Sequence, residues 1–253
     1  MTFEITSDYF IFTGKRWFMR SLFLSHRGES DDAPENTLDA FQLAMDQDSD
    51  GIELDIRLTA DGKVVCCHDE TLERVANSAV EVSAVNYSDL TKIHPVPLLS
   101  EALALLKKDA VMQIEIKGSP EAGRKAQKMI LDYPYQKNLT ISSFEKETIL
   151  CAADLFPELK RVLLIDLEAE FSRFPSAEQV IEMLKKLKCG ISFKATFKAD
   201  KNFVDTLHEA GFPVVCWGVS SDELGLAMAE LQVDAMTCNH AVKLRKMFFD
   251  KIK

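Results

Sequence analysis

Short apolar runs alternate with longer amphipathic stretches along almost the whole chain. Strand-like runs fall near residues 22–26, 51–57, 111–117, 139–143, 161–165, 190–194, 213–217 and 234–237. Helical patterning is predicted near 36–48, 99–107, 120–132, 145–154, 176–188, 201–210, 222–231 and 240–250. Gly211-Phe212-Pro213 punctuates one junction as a helix stop followed by a strand entry. Such alternation implies a parallel sheet. Eight strand–helix units in 253 residues imply a single closed (β/α)8 barrel of the TIM type spanning 1–253. A doubly wound open sheet is the alternative, but no Gly-x-Gly-x-x-Gly follows the first strand.

Three stretches stand outside the alternation. Residues 1–20 carry Phe, Ile, Trp and Tyr without clean periodicity and read as an N-terminal extension, a short strand or hairpin over the barrel floor, part of which could stem from an over-called start. Residues 64–67 read as the return arm of a hairpin closed by Asp61-Gly62, a strong two-residue turn signal. In that register Arg57 meets Cys66, Ile56 meets Cys67, and His68 lies opposite Asp55. Residues 70–98, with Pro95 and Pro97, read as a long irregular loop over the active face.

Composition changes this picture little. Apolar residues at 47% and charged residues at 28% are ordinary for a globular protein. No apolar run reaches the roughly 18 residues that a membrane span needs. The N-terminus lacks the basic-then-apolar order of a secretory signal, so the expectation is a cytoplasmic enzyme without stable membrane insertion. Six cysteines without Cys-x-x-Cys or finger spacing, mostly in apolar runs, read as buried free thiols. A net charge of −10 argues against nucleic acid as a partner, while leaving room for a local basic pocket for one phosphate.

The chemistry collects at strand ends, where barrel enzymes work. His26-Arg27 ends the first strand. In Gly51–Arg57 the apolar Ile52, Leu54 and Ile56 point one way, and Glu53 and Asp55 the other. Gln113, Glu115 and Lys117 alternate in the same manner with apolar neighbours. Ser143 and Trp217 end two further strands. Acids lined up on one strand face repel each other unless neutralised; a solvated acidic face or structural ion pairs would be the bland solutions. Glu53, Asp55 and Glu115 instead offer three hard oxygen donors without a thiolate, which favours one divalent cation, Mg²⁺, Ca²⁺ or Mn²⁺, over zinc. Arg27 and Lys117 suit an anionic oxygen, most simply phosphate, and His26 and His68 suit a general acid and base. The derived chemistry is metal-assisted displacement at phosphorus.

His26-Arg27-Gly28, Pro34-Glu35-Asn36-Thr37, GIELDIRLTADGKVV at 51–65, His68-Asp69, Glu115-Ile116-Lys117, Ser143-Phe144, and Trp217 with Val219 together resemble the glycerophosphodiester phosphodiesterase family, from about residue 22 to the C-terminus. The resemblance implies a distorted TIM (β/α)8 barrel of the phospholipase C-like phosphodiesterase type. It implies hydrolysis of small glycerophosphodiesters to glycerol 3-phosphate and an alcohol. It also implies His26 and His68 as the acid/base pair, Glu53, Asp55 and Glu115 as metal ligands, and Arg27 and Lys117 as phosphate contacts. Glu35 and Asn36 would support the substrate site, and Trp217 would line the substrate cleft. The short interval between His68 and Glu115 is that of the cytoplasmic members. Two departures bear on substrate preference: Trp217-Gly218-Val219-Ser220 stands where the family shows Trp-Thr-Val-Asn, and Thr237-Cys238-Asn239-His240 replaces Thr-Asp.

Other residues take plainer readings. His94 reads as a surface loop residue and His208 as solvent-facing on a helix, whereas His240 follows the last strand and could face the mouth. Met228, Met247, Phe248 and Phe249 read as helix-to-barrel packing. The competing functions are a lysophospholipase D-like or phospholipase C-like activity, which a longer apolar rim would favour, and a catalytically silent binding barrel, which loss of a histidine or acid would signal. Homo-oligomerisation stays open.

Overall fold

The structure is a computed structural model that describes residues 10–13 and 16–252, with side chains from Arg20 to Lys251. Two short strands, β1 (Phe10–Thr13) and β2 (Arg16–Met19), pair antiparallel ahead of the main body. The expected cover of the barrel floor by residues 1–20 falls on residues and side chains outside those described.

The main body alternates as the sequence predicts. β3 (Leu22–His26) leads to α1 (Leu38–Asp46). β4 (Gly51–Leu58) leads into an insertion of β5 (Val64–Cys66), β6 (Thr71–Leu72), α2 (Glu73–Ala76), β7 (Ser78–Glu81) and α3 (Tyr87–Leu90), and then to α4 (Leu99–Leu105). After that come β8 (Val111–Ile116), α5 (Glu121–Leu131), β9 (Leu139–Ser143), α6 (Lys146–Leu155), β10 (Lys160–Ile165), α7 (Leu167–Phe171), α8 (Ala177–Leu187), β11 (Gly190–Lys194), α9 (Lys201–Glu209), β12 (Val214–Trp217), α10 (Asp222–Glu230), β13 (Ala235–Cys238) and α11 (Ala241–Ile252). The ring order is β3-β13-β12-β11-β10-β9-β8-β4, and parallel pairing of β3 with β4 closes it into an eight-stranded barrel.

Strand alternation sets what faces in and what faces out. Ile52, Leu54 and Ile56 of β4 and Met112, Ile114 and Ile116 of β8 lie in one outer layer, packed with Phe41, Ala44 and Met45 of α1. Phe23, Phe193 and Cys216 belong to the corresponding layer around the other half of the ring, with Met228 and Phe248 from the helices. Inside the barrel, Leu24, Val162, Val215 and Ala235 form one small apolar cluster. Much of the remaining interior is polar and buried: Glu53, Gln113, Ser142, Ser192 and Thr237. A barrel filled for stability alone would carry branched apolar side chains there.

Two expectations fail locally. β5 pairs with β4 as Ile56↔Cys66, Arg57↔Val65 and Leu58↔Val64, one residue out of the expected register. The loop has three residues, not two: the Thr59 N–H donates to Lys63 O at 3.0 Å and the Gly62 N–H to Thr59 O at 2.9 Å. Gly62 alone of the loop has positive φ, at 72°, whereas a two-residue type I′ turn needs it at Asp61 as well. Asp61 is occupied otherwise, accepting from Thr59 Oγ1 at 2.6 Å and from the Tyr87 N–H at 3.0 Å. The second failure is the irregular loop. Residues 70–98 hold β6, α2, β7 and α3 around a core of Leu72, Val82, Leu90 and Val96, packed on Val65 and Cys67. Elements of two to four residues are too short for periodicity to register.

All six cysteines are free, five of them buried and Cys151 half-buried. Burial pushes the Cys67 and Cys189 thiols up to about 11 and Cys238 to about 12. Among the described residues, no helix is long and apolar enough to cross a membrane.

Candidate active site

The register between β4 and β8 sets Glu53 opposite Gln113 and Asp55 opposite Glu115. Glu53, Asp55 and Glu115 are all buried, and each offers an oxygen within 4.8 Å of the others. That span matches a single ligand shell, since oxygen ligands at roughly 2.4 Å give a shell roughly 4.8 Å across. Two cations already touch the group. Arg27 Nε lies 3.2 Å from Asp55 Oδ2, and Lys117 Nζ lies 2.8 Å from Glu115 Oε1 and 3.4 Å from Asp55 Oδ1. Their effect is uneven. Burial opposes the Asp55 charge, yet Lys117 and Arg27 outweigh it and hold that carboxyl below its usual range. Burial, then Asp55, pushes Glu115 up to about 7, and Glu53 is raised well above its usual range by burial and the two other acids. Three carboxyl groups face two side-chain cations, and the two that burial and mutual repulsion raise lack a positive partner strong enough to keep them ionised. A divalent cation is the group whose charge and oxygen preference fit them.

His26 ends β3, directly opposite Glu53. Its Nδ1 lies 2.7 Å from Asn239 Oδ1, and its Nε2 lies 3.9 Å from Glu53 Oε2. An amide oxygen only accepts, so Nδ1 carries the proton and Nε2 offers its lone pair to the mouth. Burial, then Arg27, lowers the imidazole pKa. The next turn is tightly built. Arg27 and Asn36 hold positive φ at 58° and 54°. Gly28, at 83°, has no room for a side chain, because a Cβ would lie 2.6 Å from Ala40. Such backbone persists where the surroundings over-determine it, which is common at functional sites. Asn36 Nδ2 then donates to Asp55 Oδ2 at 2.8 Å, and Thr37 caps α1 through the Ala40 N–H.

His68 reaches the mouth by a route the sequence does not reveal. The observed register would set Cys67 opposite Asp55, and the Cys67 N–H donates to Asp55 O at 3.0 Å. The strand then ends and the chain bends, which turns His68 inward to line the same cavity as His26, Glu53 and Glu115. Arg57 Nε holds the bend by donating to His68 O at 2.9 Å. His68 Nδ1 lies 2.7 Å from Asp69 Oδ1. Burial lowers its pKa, and the nearby Asp55 charge works against that. A relay of ion pairs continues from there. Arg74 Nε donates to Asp69 Oδ2 at 2.7 Å, both Arg74 terminal nitrogens reach Glu35 at 2.6 Å, and Arg27 Nη1 reaches Glu35 Oε1 at 2.9 Å.

The cavity that unites these groups measures about 560 Å³. Phe144, Leu164, Trp217 and Val219 give it an apolar lining, with Phe144 and Trp217 edge to face at 5.0 Å. Gln113 Nε2 and Trp217 Nε1 are buried without a protein acceptor and suit a hydroxyl or phosphate oxygen. Lys117 borders an adjoining cavity of about 580 Å³ that shares His68, Glu115 and Phe144 with the first. Glu35 and Asn36 line neither of these two; they hold Arg27 and Asp55. The supporting roles of Asn239, Asp69 and Arg74 escape a reading of the sequence, because nothing local marks a side chain that orients another from a separate loop or helix. His240 does face the mouth, between Asp222 at 3.1 Å and Asp31 at 3.7 Å. His94 is half-buried beside Glu35 and Arg74 rather than on the surface, and His208 lies 3.3 Å from Asp234 rather than pointing freely to solvent.

A profile of the glycerophosphoryl diester phosphodiesterase family matches residues 26–243. A glycerophosphodiester phosphodiesterase of Caldanaerobacter subterraneus subsp. tengcongensis is 35% identical over 163 residues, covering 58% of this chain and 67% of that protein. For a Bacillus subtilis relative 34% identical, the aligned stretch covers 65% of its length, so the match spans about two thirds of such relatives. Among solved structures, a glycerophosphodiester phosphodiesterase of Thermotoga maritima superposes with a TM-score of 0.77 at 26% identity, covering 91% of this chain and 99% of that one. A phosphodiesterase of Oleispira antarctica, solved with its product sn-glycerol-3-phosphate, gives 0.80 at 25% identity over 91% and 97% of the two chains.

Proposed function

The chain belongs to the glycerophosphoryl diester phosphodiesterase family, and we propose on that premise that it hydrolyses small glycerophosphodiesters to glycerol 3-phosphate and an alcohol, with one bound Mg²⁺, Ca²⁺ or Mn²⁺. One observation carries the reading: two histidines, Glu53 and Glu115 line one cavity, and buried Asp55 lies within 4.8 Å of both acids, with Arg27 and Lys117 against the group.

The residues divide the work by their chemistry. Glu53, Asp55 and Glu115 would hold the cation, which when bound supplies positive charge against the phosphate oxygens. Arg27 and Lys117 add fixed positive charge for the same oxygens and cost no reorganisation as negative charge builds. His26, backed by the neutral Asn239 amide and next to Arg27, is kept uncharged, and its Nε2 takes the proton of the attacking hydroxyl. His68, backed by the Asp69 carboxylate, is the better seat for an imidazolium, and it gives its proton to the leaving alcohol. The attacking group is the neighbouring glycerol hydroxyl, whose intramolecular attack gains from proximity and gives a cyclic phosphate as the alcohol leaves. Water then opens the ring, His68 taking its proton and His26 returning one to the glycerol oxygen, which yields glycerol 3-phosphate. The Gln113 and Trp217 donors suit the glycerol oxygens.

A lipid-directed phosphodiesterase would need a continuous apolar rim. Here the lining mixes Phe144, Leu164, Trp217 and Val219 with Asp31, Glu53, His26 and Arg27, which favours a small polar diester. The test is a panel of glycerophosphodiesters against Mg²⁺, Ca²⁺ and Mn²⁺, read as glycerol 3-phosphate released. No turnover with any pair overturns the reading. A deoxy analogue lacking the neighbouring hydroxyl separates the routes: normal turnover excludes internal attack and leaves water as the nucleophile.

A further inference from the structure

The relay of ion pairs gives a role to a residue that neither binds substrate nor lines the main cavity. Arg74 sits on α2, in the insertion, and is half exposed. An isolated surface ion pair would contribute little. Arg74 is not isolated. Its Nε reaches Asp69 Oδ2 at 2.7 Å, and its two terminal nitrogens reach the two oxygens of Glu35 at 2.6 Å. This is a two-pronged contact of planar guanidinium on carboxylate, the geometry that fixes direction as well as distance. Each of the two carboxylates then passes the constraint on. Asp69 Oδ1 sits 2.7 Å from His68 Nδ1, and Glu35 Oε1 sits 2.9 Å from Arg27 Nη1.

We infer that Arg74 is a positioning residue: one guanidinium sets both the orientation of His68, through Asp69, and the placement of Arg27, through Glu35. The inference rests on the roles proposed above for His68 and Arg27. It explains why the insertion is folded around its own small core instead of being a loose flap. A group that aligns a proton donor and a phosphate contact must sit on something rigid. It also explains the use of arginine, since a lysine can meet one carboxylate as a point charge but cannot span both in a plane.

The two arms predict separable kinetics. Asp69→Asn removes the carboxylate behind His68 and should lower kcat with little change in KM. Glu35→Gln loosens Arg27 and should mainly raise KM. Arg74→Ala should do both, with kcat/KM falling at least about tenfold, the scale of a charged hydrogen bond. Arg74→Lys should recover part of the loss, and added guanidinium ion should partly rescue Arg74→Ala. A readout independent of turnover is the ¹⁵N signal of His68 in the cation-loaded protein. In the wild type it should report an Nδ1 that stays protonated against Asp69 while Nε2 carries and exchanges the catalytic proton, and in Arg74→Ala the neutral form should shift toward a mixture of tautomers. Were kcat and KM in Arg74→Ala to stay within twofold of wild type with the His68 signal unmoved, the inference would be overturned. A loss of activity matched by a lower melting temperature, again with His68 unmoved, would overturn it as well, by making Arg74 merely structural. If the wild type cleaves no glycerophosphodiester, the proposed function falls while the His68 signal still decides the case of Arg74.

Discussion

The mouth of the barrel has two unlike sides. On one, His26, Glu53, Asp55 and Glu115 stand on β3, β4 and β8, where the parallel ladder sets them opposite one another. On the other, His68 and its supports Asp69, Arg74 and Glu35 stand on bends, a four-residue helix and the loop before α1, and ion pairs hold them. The first side is placed by backbone hydrogen bonds that do not depend on which side chains are present. The second is placed by side chains acting on side chains. Strand-borne groups should therefore tolerate changes in their neighbours, whereas loop-borne groups should move when any one link is cut.

The carboxylate group that both sides share should give the largest effect. Chelation, or Glu115→Gln, should cost on the order of 10³-fold in rate, from the several kcal/mol that a bound cation supplies. The melting curve of the variant should stay near wild type, and full activity in thoroughly metal-free protein would remove the cation from the reading. Next come the histidines, where the two sides should look alike. His26→Ala and His68→Ala should each cost at least about 10²-fold in kcat with far smaller changes in substrate affinity. The supports should then separate the sides. Asp69→Asn should cost roughly tenfold or more because a charged hydrogen bond is lost, whereas Asn239→Ala should cost only a few-fold because a neutral one is lost. Equal losses at the two supports would erase the distinction.

The smallest effect concerns pH. Glu115 is held near about 7 and Glu53 is also raised, so protons occupy the acidic group at pH values where free carboxylates would be ionised. A cation must displace those protons. Its affinity should therefore strengthen as pH rises toward and past 7 and weaken below it. Titration calorimetry in buffers of different ionisation enthalpy should register the released protons, and an affinity that is flat across that range would contradict the raised values.

The same contrast explains how much the sequence discloses. The barrel is legible because short apolar runs alternate with helical patterning, and because Glu53-Leu54-Asp55 and Glu115-Ile116-Lys117 carry a two-residue period into the site itself. The Asp61-Gly62 turn is legible as a turn but not as a length. One extra loop residue shifts the pairing, and His68 reaches the cavity through the bend that follows it. The supports Asn239 and Arg74 are farther still from any local signal: Asn239 lies far along the chain from His26, and Arg74, though near Asp69, lies far from Glu35 and Arg27. The insertion is silent for a different reason: a core of four side chains, assembled largely from two- to four-residue elements, leaves no repeat to detect.

The six thiols distribute over these parts in a useful way. Cys67 packs under the insertion, Cys66 packs in the outer layer of the barrel, and Cys189 and Cys216 lie on or beside barrel strands, all buried with their ionisation suppressed, whereas Cys238 lines the active-site cavity. A sealed, un-ionised thiol cannot attack a labelling reagent until the wall around it opens. The chain therefore carries a built-in stopwatch with two dials. After early hits at Cys151 and Cys238, the interval before Cys67 reacts times the loosening of the insertion, and the interval before Cys66, Cys189 and Cys216 react times the parting of the barrel itself.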